Sequence, residues 1–519
     1  MAIRITCPYC FKAFGDDEVM FRSEFVNHAE LDDLAEADQI EARTFSPISL
    51  NDNYMTPYKE WWTGPDKTGN NVFNSSERDP AEQLRDPNYV LPYRRVVIDP
   101  KEPFWQKYLV PQNERTVPNS RERYLIRGSD NMVCGIKLRA TRLHPEMLCS
   151  RRVCPYCNNP LPDNYGKAPV ITIPIIGVTN SGKTVYMSTL LRKINYYMTK
   201  VGYNDAKPSG NGTYAFAERN KVEAGKKLPD PTQAEEVQQP IIFNMTRDIG
   251  NNRIATYTVV LYDLAGEYFN NNPMYDITKE YKHRRPLLEN ANGIILLIDP
   301  KQLTETDGLS FQSNGRQGNP AVTALNIINQ VLQSAGKVES KVTTPLAVCI
   351  PKSDTEQFLY FFDERTQELA TQSATYDIHR KGIPAEQYNA LSDSLYDALE
   401  LNPDNGIISA ANNYEMKRFF AFSATGGAPI DEETHQMIGT PTPERLEDPL
   451  MWLLAKNGYC EVNGVLSRDV RCPACGSYHT RFRITNVREK AGLFRSRDVT
   501  YHYICLRCKQ YFNLGNEIG

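Results

Sequence analysis

No stretch of the 519-residue chain approaches the roughly eighteen consecutive apolar residues that a membrane-spanning helix needs. That absence argues against an integral helical membrane protein. Net charge is also scarce, with 59 Lys and Arg against 63 Asp and Glu, a balance of −4. A near-neutral chain has no global pull toward nucleic acid or anionic lipid, so any such affinity has to be local. The opening MAIRITCPYC meets a cysteine pair before an apolar signal-peptide core can form. The expectation is a cytoplasmic protein without a membrane partner. What is present is a globular composition, 40% hydrophobic and 24% charged, which excludes disorder as the dominant state. The length implies two to four domains.

Cysteine is the residue whose arrangement says most. Eight of the 12 cysteines fall into four Cys-x-x-Cys pairs, a pattern that favours metal over disulfides in a large chain without a secretion signal. Cys472/Cys475 and Cys505/Cys508 flank two strand-like runs, RFRITNV and DVTYHYI. Two knuckles joined by a hairpin place four thiolates tetrahedrally, as structural Zn²⁺ requires, and leave no open position for catalysis. Cys7-Pro-Tyr-Cys10 and Cys154-Pro-Tyr-Cys157 are the same tetrapeptide far apart in sequence. They are read as a second zinc site split by a long insertion, a metal staple between distant segments. Cys134, Cys149 and His144 are alternative ligands there. Cys349 and Cys460 are read as packing residues.

Three regions follow. Residues 1–168 hold the split zinc ribbon, with a short acidic helix expected over 29–42, an irregular aromatic and proline-rich stretch over 51–119, and a hairpin over 123–138. Residues 169–457 alternate apolar strands (169–176, 240–245, 255–263, 293–299, 345–350, 417–423) with helical patterns (183–197, 278–290, 321–334, 384–401, 443–456). That alternation predicts an α/β domain around a mostly parallel sheet covered on both faces. Residues 458–519 form the C-terminal zinc ribbon.

Directly after the first of these strands comes Gly177-Val-Thr-Asn-Ser-Gly182-Lys183-Thr184, the GxxxxGK[ST] pattern. Its glycines let successive N–H groups converge on phosphate oxygens, and the following helix adds its positive N-terminal end. The contacts fall on Gly177, Asn180, Ser181, Gly182, Lys183, Thr184 and Val185. Lys183 reaches the β- and γ-phosphates and the Thr184 hydroxyl ligates Mg²⁺. The strand ATYTVVLYD ends in Asp263-Leu-Ala-Gly266. Asp263 can hold the Mg²⁺ shell and the Gly266 N–H can sense the γ-phosphate. PLAVCI runs into Pro351-Lys352-Ser353-Asp354, where Asp354 can accept two N–H donors of a guanine edge. KRFFAFS supplies Ser423-Ala424-Thr425, placed to back the base with main-chain N–H groups. Each match is short; all stand at the C-terminal ends of apolar strands, the edge where α/β ligands bind.

On these motifs, residues 169–456 resemble the translation-factor-related GTPases and the Ras-like fold generally. The cysteine pairs with GVTNSGKT and DLAGE also resemble the bacterial double-GTPase families, components of multi-gene conflict systems. The resemblance implies a GTP/GDP switch working with Mg²⁺ and with partner proteins, a second GTPase or an effector among them. The family pattern has Asn or Thr where this chain has Pro351, which removes a side-chain tether between loops and leaves open how strictly GTP is preferred. It also requires a switch threonine. Thr232, in Leu228-Pro-Asp-Pro-Thr232, is the candidate, with Thr213 and Thr246 as alternatives. Glu267 stands where Ras-like enzymes carry a Gln. A carboxylate can accept from water but opposes the charge of the transferring group, which implies slow intrinsic turnover. Arg247, Arg284 and Arg285 are candidates for a neutralising cation, although solvated or salt-bridged surface roles are preferred for them.

Three other functions stay open: an ATPase using the same phosphate chemistry, a nucleotide-bound scaffold without turnover, and a nucleotide-regulated nucleic-acid-binding protein. The last draws on residues 468–509, where ten Lys or Arg meet three Asp or Glu among Phe482, Phe494, Tyr501 and Tyr503. Those aromatics are read instead as the core of a small module.

Overall fold

A computed structural model describes residues 4–9, 11–15, 20–22, 125–127, 133–138, 147–149, 151–154, 161–162, 165–166, 168–177, 181–229, 240–251, 253–264, 286–304, 320–334, 341–377, 379, 381–402, 406–431, 433–466, 472–475, 480–490, 496–505 and 508–518. The expected acidic helix over 29–42 and the irregular stretch over 51–119 lie outside them.

The centre is one seven-stranded sheet. Its strands are β1 (Val170–Gly177), β2 (Asp205–Ser209), β3 (Ile241–Asp248), β4 (Ile254–Leu264), β5 (Ile294–Leu297), β6 (Leu346–Pro351) and β7 (Lys417–Phe422), in the order β7-β6-β5-β1-β4-β3-β2. The five strands from β7 to β4 are parallel, and β3 and β2 add antiparallel at one edge. The six expected strands are all present. β2 was not legible, because DAKPS lacks β-branched residues and contains a proline. An edge position tolerates that Pro208, whose missing N–H costs no ladder bond on the outer side.

Alternation along β1 divides the core in two. Ile171, Ile173 and Ile175 face one side, where they meet helix α1 (Lys183–Lys200) and a later helix over Asp448–Lys456. Ile176 faces the other, toward helices over Pro320–Ser334 and Ala385–Glu400. In α1, Met187, Leu190, Leu191, Ile194, Tyr197 and Met198 recur at three- and four-residue steps, which gives one apolar stripe to bury. The last helix starts at Asp448 rather than at 443. Residues before it are otherwise engaged: Glu444 exchanges backbone bonds with Ser423, and Arg445 adopts φ 50. Among the described residues no helix is long and apolar enough to cross a membrane.

The 123–138 hairpin is present as Leu125–Arg127 against Val133–Leu138. Met20–Arg22 pairs with Arg151–Val153, so segments on either side of the long insertion do come together. At the C-terminus, β8 (Thr480–Lys490) and β9 (Ser496–Cys505) form the expected hairpin, and β10 (Tyr511–Ile518) adds a third strand.

Candidate functional site

Sheet register brings the sequence motifs to one edge. Gly177 ends β1 beside Leu297 of β5, Asp263 lies opposite Ile175 of β1, and Pro351 lies opposite Phe422. The loops that leave these strands therefore share the C-terminal rim of the sheet, as the α/β pattern requires.

The phosphate loop closes on α1. Gly182 takes the left-handed φ of 80° and caps the helix with no side-chain hydrogen bond, so the first-turn N–H groups are not used by a capping side chain. The buried Lys183 ammonium donates to the Gly177 carbonyl at 2.8 Å, bridging the loop from end to start. A Cβ at Gly177 would meet Ser181 Oγ at 2.4 Å and Leu297 at 3.1 Å, which explains the glycine at that position. Ser181 is fully buried, and among the described residues its hydroxyl has no hydrogen-bond partner. An orphaned buried hydroxyl beside an uncapped helix start suits an anionic ligand. Thr184 and Val185 continue the first turn of α1, and Asp263 is buried at the end of β4. Thr184 and Asp263 are the residues that could hold Mg²⁺. Asn180, Gly266 and Glu267 lie outside the described residues.

The rim around Asp354 is organised by two loops that hold each other. Asp354 Oδ2 accepts from Thr425 Oγ1 at 2.8 Å and from the Gly427 N–H at 2.7 Å. Ser423 is buried, and its hydroxyl accepts from the N–H groups of Gly426 and Thr425 at 2.7 and 3.2 Å. Its role is to shape the turn through Ala424 and Thr425. A Cβ at Gly426, where φ is 62°, would lie 1.9 Å from the Thr442 carbonyl. Lys352, also left-handed at φ 58, donates to Asp299 Oδ2 at 2.6 Å. Sequence reasoning missed Asp299. Its signal was an acid at the end of the buried run GIILLID, the place where Asp263 stands in its own strand. Burial and the Asp354 carboxylate together push the Glu444 carboxyl above its ordinary value.

The threonine alternatives separate cleanly. Thr213 is buried and its hydroxyl accepts from the Ile242 N–H at 2.9 Å, a structural duty. Thr246 pairs with Thr256 and Asp205. Because β3 runs against β4, that puts Thr246 at the end of the sheet away from the site. Arg247 is there too and pairs with Glu461, the salt-bridged role preferred for it from sequence. Thr232, Arg284 and Arg285 lie outside the described residues. The approach to Thr232 is nevertheless anchored. Gly225 donates to the Met437 carbonyl at 2.6 Å, Met437 donates to Lys226 at 2.9 Å, and Leu228 donates to His435 at 2.9 Å. The segment leading to Thr232 is thus strapped to the loop that follows Ser423–Thr425.

At the C-terminus the four sulfurs of Cys472, Cys475, Cys505 and Cys508 lie within 4.8 Å of one another. Two of the separations are 3.7 Å (Cys472 to Cys508) and 3.5 Å (Cys475 to Cys505). A tetrahedron with Zn–S bonds of about 2.3 Å has edges of about 3.8 Å, so the cluster could hold zinc. Burial opposes ionisation of Cys472, but N–H donors from Cys475 and Ala474 together with the neighbouring Cys508 and Cys505 thiols outweigh it and bring the thiol down to about 7. The aromatic side chains of Phe482, Tyr501 and Tyr503, and Phe494 itself, lie outside the described set. By contrast, burial pushes the Cys349 thiol up and the Cys460 thiol up to about 12, in keeping with packing roles.

Cys7 and Cys154 are buried, while Cys10 and Cys157 lie outside the described residues. The backbone around Cys7 repeats that around Cys505. Cys7 N–H donates to Lys12 and Phe11 N–H to Cys7, both at 3.0 Å, with Phe11 at φ 58. Cys505 N–H donates to Gln510 at 2.9 Å and Lys509 N–H to Cys505 at 2.8 Å, with Lys509 at φ 60.

A 330-residue region is 24% identical to the Mycolicibacterium smegmatis protein named "Putative ESX-1 scaffolding and assembly protein SaeC", covering 59% of this chain and 80% of that one. Among solved structures, the S. cerevisiae Ski7 GTPase-like domain bound to GTP is similar at 13% identity and a TM-score of 0.28, over 65% of this chain and 58% of that one. The Trypanosoma brucei Arl6 small GTPase is similar at 10% identity and a TM-score of 0.22, over 56% of this chain and 99% of that one. Translation elongation factor SelB from Methanococcus maripaludis is similar at 9% identity and a TM-score of 0.22, over 68% of this chain and 50% of that one. The chain therefore spans under two thirds of the Ski7 and SelB chains. Residues 171–389 match the family model described as Double-GTPase 2, a span that takes in Gly177–Thr184, Asp263 and Asp354 and stops short of Ser423–Thr425; this stretch of the chain is a GTPase-like domain of that type.

Proposed function

We propose that this protein is an Mg²⁺-dependent GTP-binding and GTP-hydrolysing switch that acts on partner proteins through its zinc modules. The observation that carries the reading is the shared rim. One sheet edge gathers the Gly177–Thr184 loop with its buried Lys183, the acid Asp263, and Asp354 locked to Thr425 and Gly427. Lys183 and the α1 N-terminus hold phosphate charge; Thr184, Asp263 and Thr232 hold the magnesium shell; Asp354 reads the base. Bound Mg²⁺ would neutralise charge on the transferring group. Gly266 and Glu267 sense that group and orient water, and the carboxylate makes unassisted turnover slow.

The zinc reading extends to both ends. The matched turns at Cys7 and Cys505 support a second four-cysteine site from Cys7, Cys10, Cys154 and Cys157. Closed thiolate shells stabilise small modules rather than catalyse, so these modules are the partner-facing parts. The relative named for scaffolding and assembly favours protein partners, an effector or a second GTPase in a multi-protein bacterial system, over nucleic acid.

The test is equilibrium binding and turnover with GTP and ATP in magnesium, on wild type, Lys183→Ala and Asp354→Asn. GTP outcompetes ATP on wild type, Lys183→Ala loses nucleotide, and Asp354→Asn moves preference toward xanthine nucleotides. Equal competition by ATP would favour the ATPase alternative, and binding without turnover the scaffold.

A further inference from the structure

We infer that Asp299 is a positioning residue for guanine recognition, acting through Lys352 in place of the side-chain tether that Pro351 cannot supply. The inference rests on the GTP-binding reading above.

Asp299 stands two residues beyond β5, whose Leu297 pairs with Gly177 at the root of the phosphate loop. It is 5% exposed, and both its oxygens are used. Oδ1 accepts from the Lys301 N–H at 3.0 Å, and Oδ2 accepts from Lys352 Nζ at 2.6 Å. The first bond fixes the turn; the second holds a residue of the base loop.

Lys352 needs holding. It adopts φ 58, a conformation that a side-chain-bearing residue keeps only when its surroundings over-determine it. Its Cε lies 3.8 Å from where a Cβ on Gly182 would be, so the stem crosses the last glycine of the phosphate loop. Two residues later Asp354 is tied to Thr425 and Gly427. The Asp299–Lys352 pair therefore links three rim loops: the one after β5, the phosphate loop and the base loop. Proline at 351 offers no donor or acceptor side chain for that duty. A buried carboxylate with a cationic partner is a positional constraint, because moving the partly exposed Lys352 away would strand the buried Asp299 charge.

Asp299→Asn keeps an acceptor for the Lys301 N–H and removes only the charge facing Lys352. The experiment measures fluorescent GDP binding with magnesium to the full chain as wild type, Asp299→Asn, Asp299→Glu, Lys352→Met and the Asp299→Asn/Lys352→Met double variant. Each single variant Asp299→Asn and Lys352→Met is expected to weaken GDP by about tenfold, and the double variant no further than Lys352→Met, the mark of residues acting as one unit. Asp299→Glu, which restores the acid, recovers most of the loss. A role in folding alone would instead add to the Lys352→Met loss and would not respond to Glu. Wild type that binds GDP with Asp299→Asn unchanged, or losses that multiply, would overturn the inference and leave the GTP reading standing. Wild type that binds no GDP overturns both. Should Asp299→Asn fail to fold, the double variant against Lys352→Met decides: equal affinity supports the inference, further loss overturns it.

Discussion

Phe11 packs edge-on against Tyr262, with ring centroids 5.0 Å apart and planes at 88°. Phe11 directly follows the Cys7–Cys10 pair, and Tyr262 directly precedes Asp263. The N-terminal cysteine turn is therefore seated on the strand that carries Asp263, and Phe11 belongs to the same apolar cluster as Leu264 and Leu296. Phe11→Ala deletes a buried ring and should cost about 3 kcal/mol. A thermal scan should show the GTPase domain's own transition moving down. If the transition stayed in place, the knuckle would be an independent appendage.

The strap between Lys226–Leu228 and His435–Met437 predicts a kinetic effect. It connects the approach to Thr232 with the loop that follows Ser423–Thr425, so on the proposed nucleotide reading departure of the nucleotide would disturb both. Met437→Pro removes the N–H that donates to Lys226, worth about 1 kcal/mol of hydrogen bonding, together with a buried side chain. Release of a fluorescent GDP, followed by stopped flow, is expected to speed up by at least about fivefold, the rate equivalent of the hydrogen bond alone. An unchanged release rate would mean the strap opens independently of the nucleotide.

Much of this site could be read before any coordinates. The six strands announced themselves as apolar runs, and Lys183, Asp263 and Asp354 follow from motifs that need a strand end and a turn. What escaped the sequence depends on partners far along the chain. Asp299 gains its meaning from a lysine 53 residues later. Thr246 and Thr213 stand behind Thr232 as alternatives on sequence alone. The antiparallel register of β3 sends the first to the wrong edge, and a backbone donor from Ile242 occupies the second. The strap was invisible because it pairs backbone with backbone, to which composition is blind. The last helix was begun too early because helical periodicity cannot foresee that Glu444 pairs with Ser423.

Glu444 gives the pH dependence. Burial and the neighbouring Asp354 raise its carboxyl above the ordinary 4.5 in the folded protein. The folded state therefore keeps the proton longer than the unfolded chain does. As pH rises from 4.5 through the raised value, the unfolded chain binds fewer protons than the fold, and stability falls. Glu444→Gln removes that loss. Its melting point should exceed wild type at pH 7.5, and the gap should close as pH falls toward 4.5. The group is partly exposed, so screening keeps the gain under about 1 kcal/mol. A gap that widened on acidification would reverse the sign and refute the account.

The paired knuckles make the metal count decisive. Phe11 and Lys509 hold the same left-handed turn four residues after a cysteine, with the same two backbone bonds. Such a turn aims N–H groups at sulfur, and the Tyr9 N–H does lie 3.4 Å from Cys7 Sγ. Zinc bound at both ends predicts two ions per chain by elemental analysis, as against one if only the Cys472–Cys508 cluster is a site. Cys475→Ser should remove one ion and Cys7→Ser the other, because a three-thiolate shell loses much of the binding free energy that doubles as folding energy. Their effects on the GTPase domain should differ. Loss of the N-terminal ion should reach Asp263 through Phe11 and Tyr262 and weaken magnesium-dependent GTP binding, whereas loss of the C-terminal ion should leave that binding within about twofold of wild type. Equal weakening by both substitutions would show that the knuckle contact at Tyr262 transmits nothing of its own.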